Sequence, residues 1–419
     1  MKLRNLILVV CLVAVSATMG YEFGQQKLKW SFKNWRPAVV VNKLPTLEGK
    51  PADVDFALFW TVWDKMNAEY VDKTALDAVK MVNGAISGMV AAAGDPYTVF
   101  LSPQENKEAK EDLGGSFEGV GIQLGFRDGR LAVVSPLAGM PAIKAGVRAG
   151  DYILHIKDTA KNVDRDTEGM SLPEAVKLIR GPKGTKVELS LLHNNNGEEP
   201  YSITLWRETI VVKSVQLEFI NNVAWVKLTR FGDLTQGEWE ETVSRIKNQE
   251  LSSHARGIRG IVLDLRNNPG GYLEGAVYIA GEFLPAGKSV VAQQYGDGTK
   301  INDTVKRNGR LLKTPLVVVV NKGSASAAEI LAGALQDYKR AKIVGEQSFG
   351  KGSVQQPEDF SGGAGLHVTI ARWLRPNGEW LDKKGITPDV IVKYEPDGNA
   401  SDSGDWKSDL QLVKAVEML

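Results

Sequence analysis

Apolar residues recur at helical spacing over 54–70, where Phe56, Phe59, Trp60, Trp63 and Met66 form a stripe. The pattern returns at Leu76, Val79, Val82, Ile86, Met89 and Val90 until Gly94 and Pro96 stop it. These periods predict two packed helices whose aromatic stripe is core. From Phe117 to about Trp206 the pattern shortens to strand-length apolar runs at 119–124, 131–134, 152–156 and 186–192, with small helices at 142–145 and 172–179. After Trp206, strands at 223–228, 260–265, 289–293, 316–320, 341–344 and 365–370 alternate with helices at 235–248, 272–283 and 327–336. Runs that are apolar on both faces, separated by helices, imply a mostly parallel sheet with covered faces. The chain therefore reads as a multidomain α/β protein.

Composition narrows the function class. The 419 residues are 43% hydrophobic and 24% charged, enough for more than one core, and a formal net charge of +1 lacks the footprint of a nucleic-acid binder. Lys2 and Arg4 precede an apolar run over 6–19, with Val15-Ser-Ala17 as a candidate cleavage site. Tyr21, Trp30, Phe32 and Trp35, interleaved with Lys27, Lys29, Lys33 and Arg36, suit an interfacial anchor instead. Residues 1–20 are a signal peptide or a membrane anchor, and both readings export the body to a periplasmic or other extracytoplasmic place. Cys11, the single cysteine, lies inside that run, so the exported part forms no disulfide.

The segment 315–356 carries the chemistry. A continuous strand, Pro315-Leu-Val-Val-Val-Val-Asn321, delivers Ser326 to the start of a helix, where backbone amides face an incoming anion. Ser326 with Glu329 also fits a capping box, the structural alternative for that serine. Twenty-five residues on, Lys351 stands between Gly350 and Gly352, which permit close backbone approach, and an extended segment puts Lys351, Ser353 and Gln355 on one face. Serine and lysine together are the parts of a nucleophile dyad. His155, His193, His254 and His367 lie in strands or loops, and no Gly-x-Ser-x-Gly or His-Glu-x-x-His occurs. Ser348-Phe-Gly-Lys351 matches Ser-x-x-Lys, but its glycines oppose the helix that motif needs, and Ser244-Arg-Ile-Lys247 matches equally well.

Asn321-Lys-Gly-Ser-Ala-Ser-Ala-Ala-Glu-Ile-Leu-Ala-Gly-Ala-Leu335 and Gly345-Glu-Gln-Ser-Phe-Gly-Lys-Gly-Ser-Val-Gln-Gln356 resemble the carboxyl-terminal processing peptidases, the tail-specific serine proteases. Asp95-Pro-Tyr-Thr-Val-Phe-Leu-Ser-Pro103, Leu263-Asp-Leu-Arg-Asn-Asn-Pro-Gly-Gly271 and Gly385-Ile-Thr-Pro-Asp389 are similar to further signature segments of that family. Ala328 departs from the family's usual serine, and Arg372-Trp-Leu-Arg-Pro-Asn-Gly378 is bulkier than its usual tyrosine- and threonine-rich form. The resemblance implies a crotonase-like, Clp-protease-like α/β catalytic core over 206–395, with Ser326 as nucleophile, Lys351 as base and Gln355 as the residue that orients the amine. Gly270 and Gly271, at a strand's C-terminal end, join Ala327 as the expected oxyanion hole. No cofactor or metal is expected.

The ordered elements over 114–205 resemble a PDZ domain. Gly119, Val120, Gly121 and Ile122 then form the carboxylate-binding loop, and Leu172, Ala175, Val176 and Ile179 line a groove in which a peptide adds a strand to the sheet edge. Arg180, just beyond that helix, is either a link between peptide binding and the active site or a solvated arginine. The remaining expectations are a linker at 21–51, an N-terminal helical cap at 52–113, and a polar linker with a C-terminal helix at 396–419. The expected activity is a serine endopeptidase acting near the C-termini of exported proteins whose tails are unstructured and nonpolar. An adaptor or lipoprotein activator, homo-oligomerisation and membrane attachment through an uncleaved N-terminus are further candidate partnerships. The rival of another class is a catalytically silent PDZ scaffold with a retained protease fold; such a scaffold is expected to lose Ser326 or Lys351, and both are present.

Overall fold

The computed structural model describes residues 28–33, 36–41, 56–137, 139–193, 199–251, 257–393 and 406–419. The targeting segment 1–20 lies outside them, as do most of the linker 21–51 and the stretch 394–405. Two compact units divide the chain, Met1–Ala78 and Val79–Leu419.

In the first unit, β1 (Leu28–Lys33) and β2 (Arg36–Val41) pair antiparallel within the expected linker, and α1 (Ala57–Glu69) follows. The chain then enters α2 (Ala78–Ala91). Both helices form where the apolar period puts them, but neither buries a residue: Trp60 is 56% and Val79 68% exposed. The expectation that this stripe is core is therefore corrected. Its rings instead contact one another along α1, Phe59 with Trp60 at 5.1 Å and Trp63 at 6.3 Å.

The second unit continues with β3 (Val99–Leu101), α3 (Pro103–Leu113) and β4 (Ser116–Gly119). Helix α3 starts where it does because Pro103 suits its first turn and Glu105 accepts from Ser102 N at 2.8 Å. Next come β5 (Ile122–Arg127), β6 (Arg130–Pro136), α4 (Pro141–Lys144), β7 (Tyr152–Asp158), β8 (Val163–Asp166), α5 (Leu172–Ile179), β9 (Lys186–Leu192) and β10 (Tyr201–Trp206). Their sheet runs β10-β9-β7-β6-β5 with β8 beside β7, which leaves β5 as an edge. Val187, Leu189 and Leu191 alternate inward from β9 onto Ile153 and Ile156. Strand β11 (Glu208–Val211) returns to pair with β4.

The α/β part follows: β12 (Val215–Ile220), β13 (Val223–Leu228), α6 (Thr235–Leu251), β14 (Gly260–Asp264), α7 (Leu273–Phe283), β15 (Ser289–Tyr295), β16 (Lys300–Thr304), β17 (Leu316–Val320), α8 (Ala327–Asp337), β18 (Lys342–Gly345), β19 (Ser353–Asp359), β20 (Gly365–Leu374), β21 (Val390–Ile391) and α9 (Leu410–Glu417). One sheet, ordered β12-β13-β14-β17-β18-β21, is parallel from β13 to β21. The other, β16-β15-β20-β19 with β3 on β20, is antiparallel. Every residue of β14 and β17 is buried. Leu316, Val318 and Val320 face a core with Trp239, Phe283, Leu331 and Trp373, while Val317 and Val319 face Leu412 and Val416 of α9. That two-sided burial explains the unbroken apolar runs. The C-terminal ends of β14 and β17 consequently stand side by side, and the turns that follow them form one edge of the molecule's chemistry.

Candidate active site

Buried β17 delivers the chain into a turn in which Ser326 takes φ 54° and ψ −117°, a conformation rarely adopted by residues other than glycine. Three bonds hold it there. Ser324 Oγ donates to Leu265 O at 2.8 Å, Ala325 N donates to Asn268 O at 2.9 Å, and Ser326 N donates to Glu329 Oε2 at 2.9 Å. The last bond is the Glu329 limb of the capping box expected from sequence, so the cap and the Ser326 turn are one feature.

The turn after β14 docks directly on this one. Gly270 has φ 103°, and a Cβ placed on it would stand 2.8 Å from Ser326 Cβ and 3.0 Å from Ala327 N. Gly271 has φ 129°, and a Cβ there would meet Phe231 O at 2.0 Å. Only glycine fits at either position. Asn268, fully buried, donates to Leu228 O at 2.7 Å and accepts from Gly270 N at 2.9 Å. The Gly270 amide is thus engaged, whereas among the described residues the amides of Gly271 and Ala327 carry no hydrogen bond. These two donors belong to the turns that meet at Ser326, and that of Ala327 stands at the N-terminus of α8.

Lys351 arrives on the loop between β18 and β19. Phe349 N donates to Ser324 O at 3.0 Å, Trp373 Nε1 donates to Lys351 O at 2.6 Å, and Trp380 Nε1 donates to Gly352 O at 2.8 Å. A Cβ on Gly352 would meet Trp380 Nε1 at 2.5 Å, which is why the lysine is glycine-flanked. Trp373 belongs to the segment that is bulkier than the family's usual form, and here the indole serves as a clamp on the lysine backbone. Burial pushes the Lys351 ammonium down from its ordinary value, with the charges of Asp95 and Glu329 opposing. Its Nζ sits 5.0 Å from the centre of the Tyr97 ring, and among the described residues no hydrogen bond joins it to Ser326. Gln355 lies on the same face as Ser353: its Nε2 donates to Ser353 Oγ at 2.8 Å and to Thr369 Oγ1 at 3.2 Å. Its amide oxygen remains as an acceptor. His367 on β20 lies within electrostatic reach of Lys351, and burial with that neighbouring charge depresses the imidazole's pKa.

In the β-rich region, Gly119, Val120, Gly121 and Ile122 line a cleft of about 100 Å³ between β5 and α5, with Val176 on the opposite wall. Leu172 and Ala175 do not line it; both pack on the region's core, while Ile179 and Phe117 line the cleft. Arg180 stands over the Phe117 ring at 4.1 Å, at the mouth of the cleft rather than in bulk solvent. Sequence reasoning passed over Tyr97, Asn268 and Phe117. Tyr97 and Asn268 lie inside two of the signature segments, the signal that marks them, whereas nothing in the apolar pattern marks Phe117 as a groove residue.

Residues 222–392 match peptidase family S41, and residues 105–192 match the PDZ domain. The carboxy-terminal processing protease CtpA of Bacillus subtilis is 38% identical over 329 residues, covering 78% of this chain and 67% of that protein. A protein described as a probable CtpA-like serine protease from Staphylococcus epidermidis is 34% identical over 365 residues, covering 84% of this chain and 70% of its own. Among solved structures, a photosystem II D1 C-terminal processing protease is 30% identical with a TM-score of 0.48, covering 80% of this chain and 92% of that one. The chain thus belongs to peptidase family S41, as a PDZ-containing serine protease of the carboxyl-terminal processing kind.

Proposed function

We propose that this protease is an endopeptidase that works through Ser326 and Lys351 and cleaves exported proteins near nonpolar C-terminal tails held by its PDZ groove. The observation that carries the dyad is the docking of three turns on one another: Gly270 against Ser326, and the Lys351 loop against the Ser324 carbonyl. In the resting geometry the lysine lies over Tyr97. Catalysis needs its side chain to swing to Ser326, and hydrogen bonds that tighten only with substrate present are common in such sites. Neutral Lys351 then takes the Ser326 proton as Oγ attacks the scissile carbonyl. The amides of Gly271 and Ala327 receive the oxyanion, and the Gln355 amide oxygen holds the amine in line. Lys351 returns the proton to the leaving amine, and water hydrolyses the acyl-enzyme.

Tail selection rests on the cleft between β5 and α5: β5 is a free sheet edge, and Val120, Ile122, Val176 and Ile179 give an apolar wall beside the Gly119–Gly121 turn. Export, by cleavage after residues 1–20 or by their retention as an anchor, is part of the same reading, as are a lipoprotein or adaptor partner and self-association. Ser326→Ala and Lys351→Ala should each abolish cleavage of an unfolded substrate while leaving the circular dichroism spectrum intact. Lys351→Arg should fail as well, because a guanidinium stays charged. Substantial peptide cleavage by any of these variants, mapped by mass spectrometry, moves the chemistry to other residues; a wild-type protein inert toward every unfolded substrate favours the silent scaffold.

A further inference from the structure

Glu329 is fully buried, yet nothing in the reaction described above uses it. Its carboxylate gathers four donors from two separate chain segments. Oε2 accepts from Ser326 N at 2.9 Å and from Lys351 N at 3.0 Å; Oε1 accepts from Gly350 N at 2.7 Å and from Ser348 Oγ at 2.5 Å. The Ser348 hydroxyl accepts from Ile386 N at 2.6 Å, so its own hydrogen points to Glu329. All four partners are donors, an arrangement that suits an ionised carboxylate and leaves a protonated one with a hydrogen facing a hydrogen. Burial pushes the Glu329 pKa upward against these bonds.

We propose that Glu329 is a positioning residue for the Ser/Lys reaction, a single buried carboxylate that fixes the nucleophile turn and the lysine loop in register by binding the backbone amides of both reactive residues. One oxygen atom, Oε2, touches both amides, so a shift of either segment is felt by the other. Side-chain capping of α8 alone needs only the Ser326 contact; the three bonds to residues 348–351 are what capping does not explain. The inference rests on the Ser326 and Lys351 assignment.

The negative charge also bears on the base. The groups facing Lys351 are Glu329 from α8, Asp95 and Tyr97 from the segment before β3, and His367 from β20; Asp382 faces Tyr97 in turn. Glu329 and Asp95 favour the ammonium, so removing the Glu329 charge lowers the lysine pKa. Since activity needs the neutral amine, the acidic limb of the pH–rate profile then moves to lower pH.

The test compares Glu329→Gln with Glu329→Asp in the full chain, using a fluorogenic peptide. Glutamine keeps the shape but turns an NH2 group toward backbone N–H donors. Losing one or two charge-assisted bonds should reduce kcat about 10- to 100-fold with KM changed less than about twofold. Its acidic limb should lie below the wild-type position. Aspartate keeps the charge but is one methylene short, so kcat should fall while the limb stays in place. A folded Glu329→Gln protein with kcat within about twofold of wild type overturns the proposal. So does a loss of activity that merely follows the unfolded fraction, with the limb unmoved. If Glu329→Gln does not fold, Glu329→Asp carries the test through its kcat, and wild-type turnover in that variant again overturns it. Failure of the Ser326 and Lys351 assignment shows separately, as activity in their alanine variants.

Discussion

Replacing Arg207 with methionine should loosen the peptide-binding domain more than any surface change. The Arg207 and Asp158 side chains are 1% and 0% exposed. Arg207 Nη2 donates to Asp158 Oδ2 at 2.7 Å and to Leu178 O at 3.1 Å, Nε donates to Ile179 O at 2.8 Å, and Nη1 reaches Thr185 Oγ1 and Lys186 O, both at 3.0 Å. The guanidinium therefore ties the last carbonyls of the groove helix α5 to strand β9. Removing it strands Asp158 with one bond, from Lys161 N at 3.1 Å. Breaking such a buried pair costs about 3–5 kcal/mol. In hydrogen exchange of the full chain, amides of β7 and β9 that exchange through opening of this domain should speed up by about two to four orders of magnitude at 1.36 kcal/mol per decade. Asp158→Leu combined with Arg207→Met should recover most of the loss, because an apolar pair of similar volume avoids the uncompensated charge. Burial raises the Asp158 pKa, but the hydrogen bonds from Arg207 and the Lys161 amide, with the charges of both residues, together outweigh it, and the net pKa is depressed. The pair's contribution is therefore full above the ordinary carboxylate range and is lost as pH falls through the lower, folded value. Acceleration of less than about tenfold in Arg207→Met at neutral pH would refute this reasoning, since it would mean that Asp158 finds water or another partner.

Gly271→Ala forces a Cβ against the Phe231 carbonyl and should cut turnover by about 10²- to 10³-fold with a small change in KM, the effect of losing one oxyanion donor; near-normal turnover removes Gly271 from that role. Proteolysis of a substrate without titrating groups should rise with pH to a plateau below the ordinary lysine range near 10.4, because burial depresses the Lys351 pKa and only the free amine is a base; a midpoint at or above that value contradicts it. Amidating the C-terminus of a tailed substrate should slow its cleavage about 10- to 100-fold, the weight of charge-assisted bonds in the PDZ loop, while reaction with a small serine-directed inhibitor changes little. Equal cleavage of free and amidated tails rules out tail recognition and leaves the serine chemistry untouched.

Much of this architecture is legible in the chain because burial on two faces leaves an unmistakable mark. Strand β17 and helix α5 fall where their apolar periods put them, and Val223–Leu228 likewise. Strand β16, Lys-Ile-Asn-Asp-Thr, escapes such reading because it is a polar edge of the antiparallel sheet. The aromatic stripe of α1 misleads for the opposite reason: a periodic apolar face states that something covers it, not that the described residues of its own unit do. In the site, Ser326, Lys351 and the glycines stand out through their local backbone demands. The contributions of Glu329 and Trp373 do not, because a carboxylate binding two loops and an indole clamping a carbonyl depend on contacts that span 22 residues.

The claim that Ser326 is a nucleophile activated by Lys351 is tested most directly by intact-mass and peptide mapping after exposure to a fluorophosphonate, with the labelling rate followed against pH. The account predicts one adduct, on Ser326, formed at a rate that rises with pH through the depressed lysine pKa, absent in Ser326→Ala and strongly slowed in Lys351→Ala. An adduct on any other residue, or a Ser326 labelling rate unchanged by loss of the lysine, contradicts it.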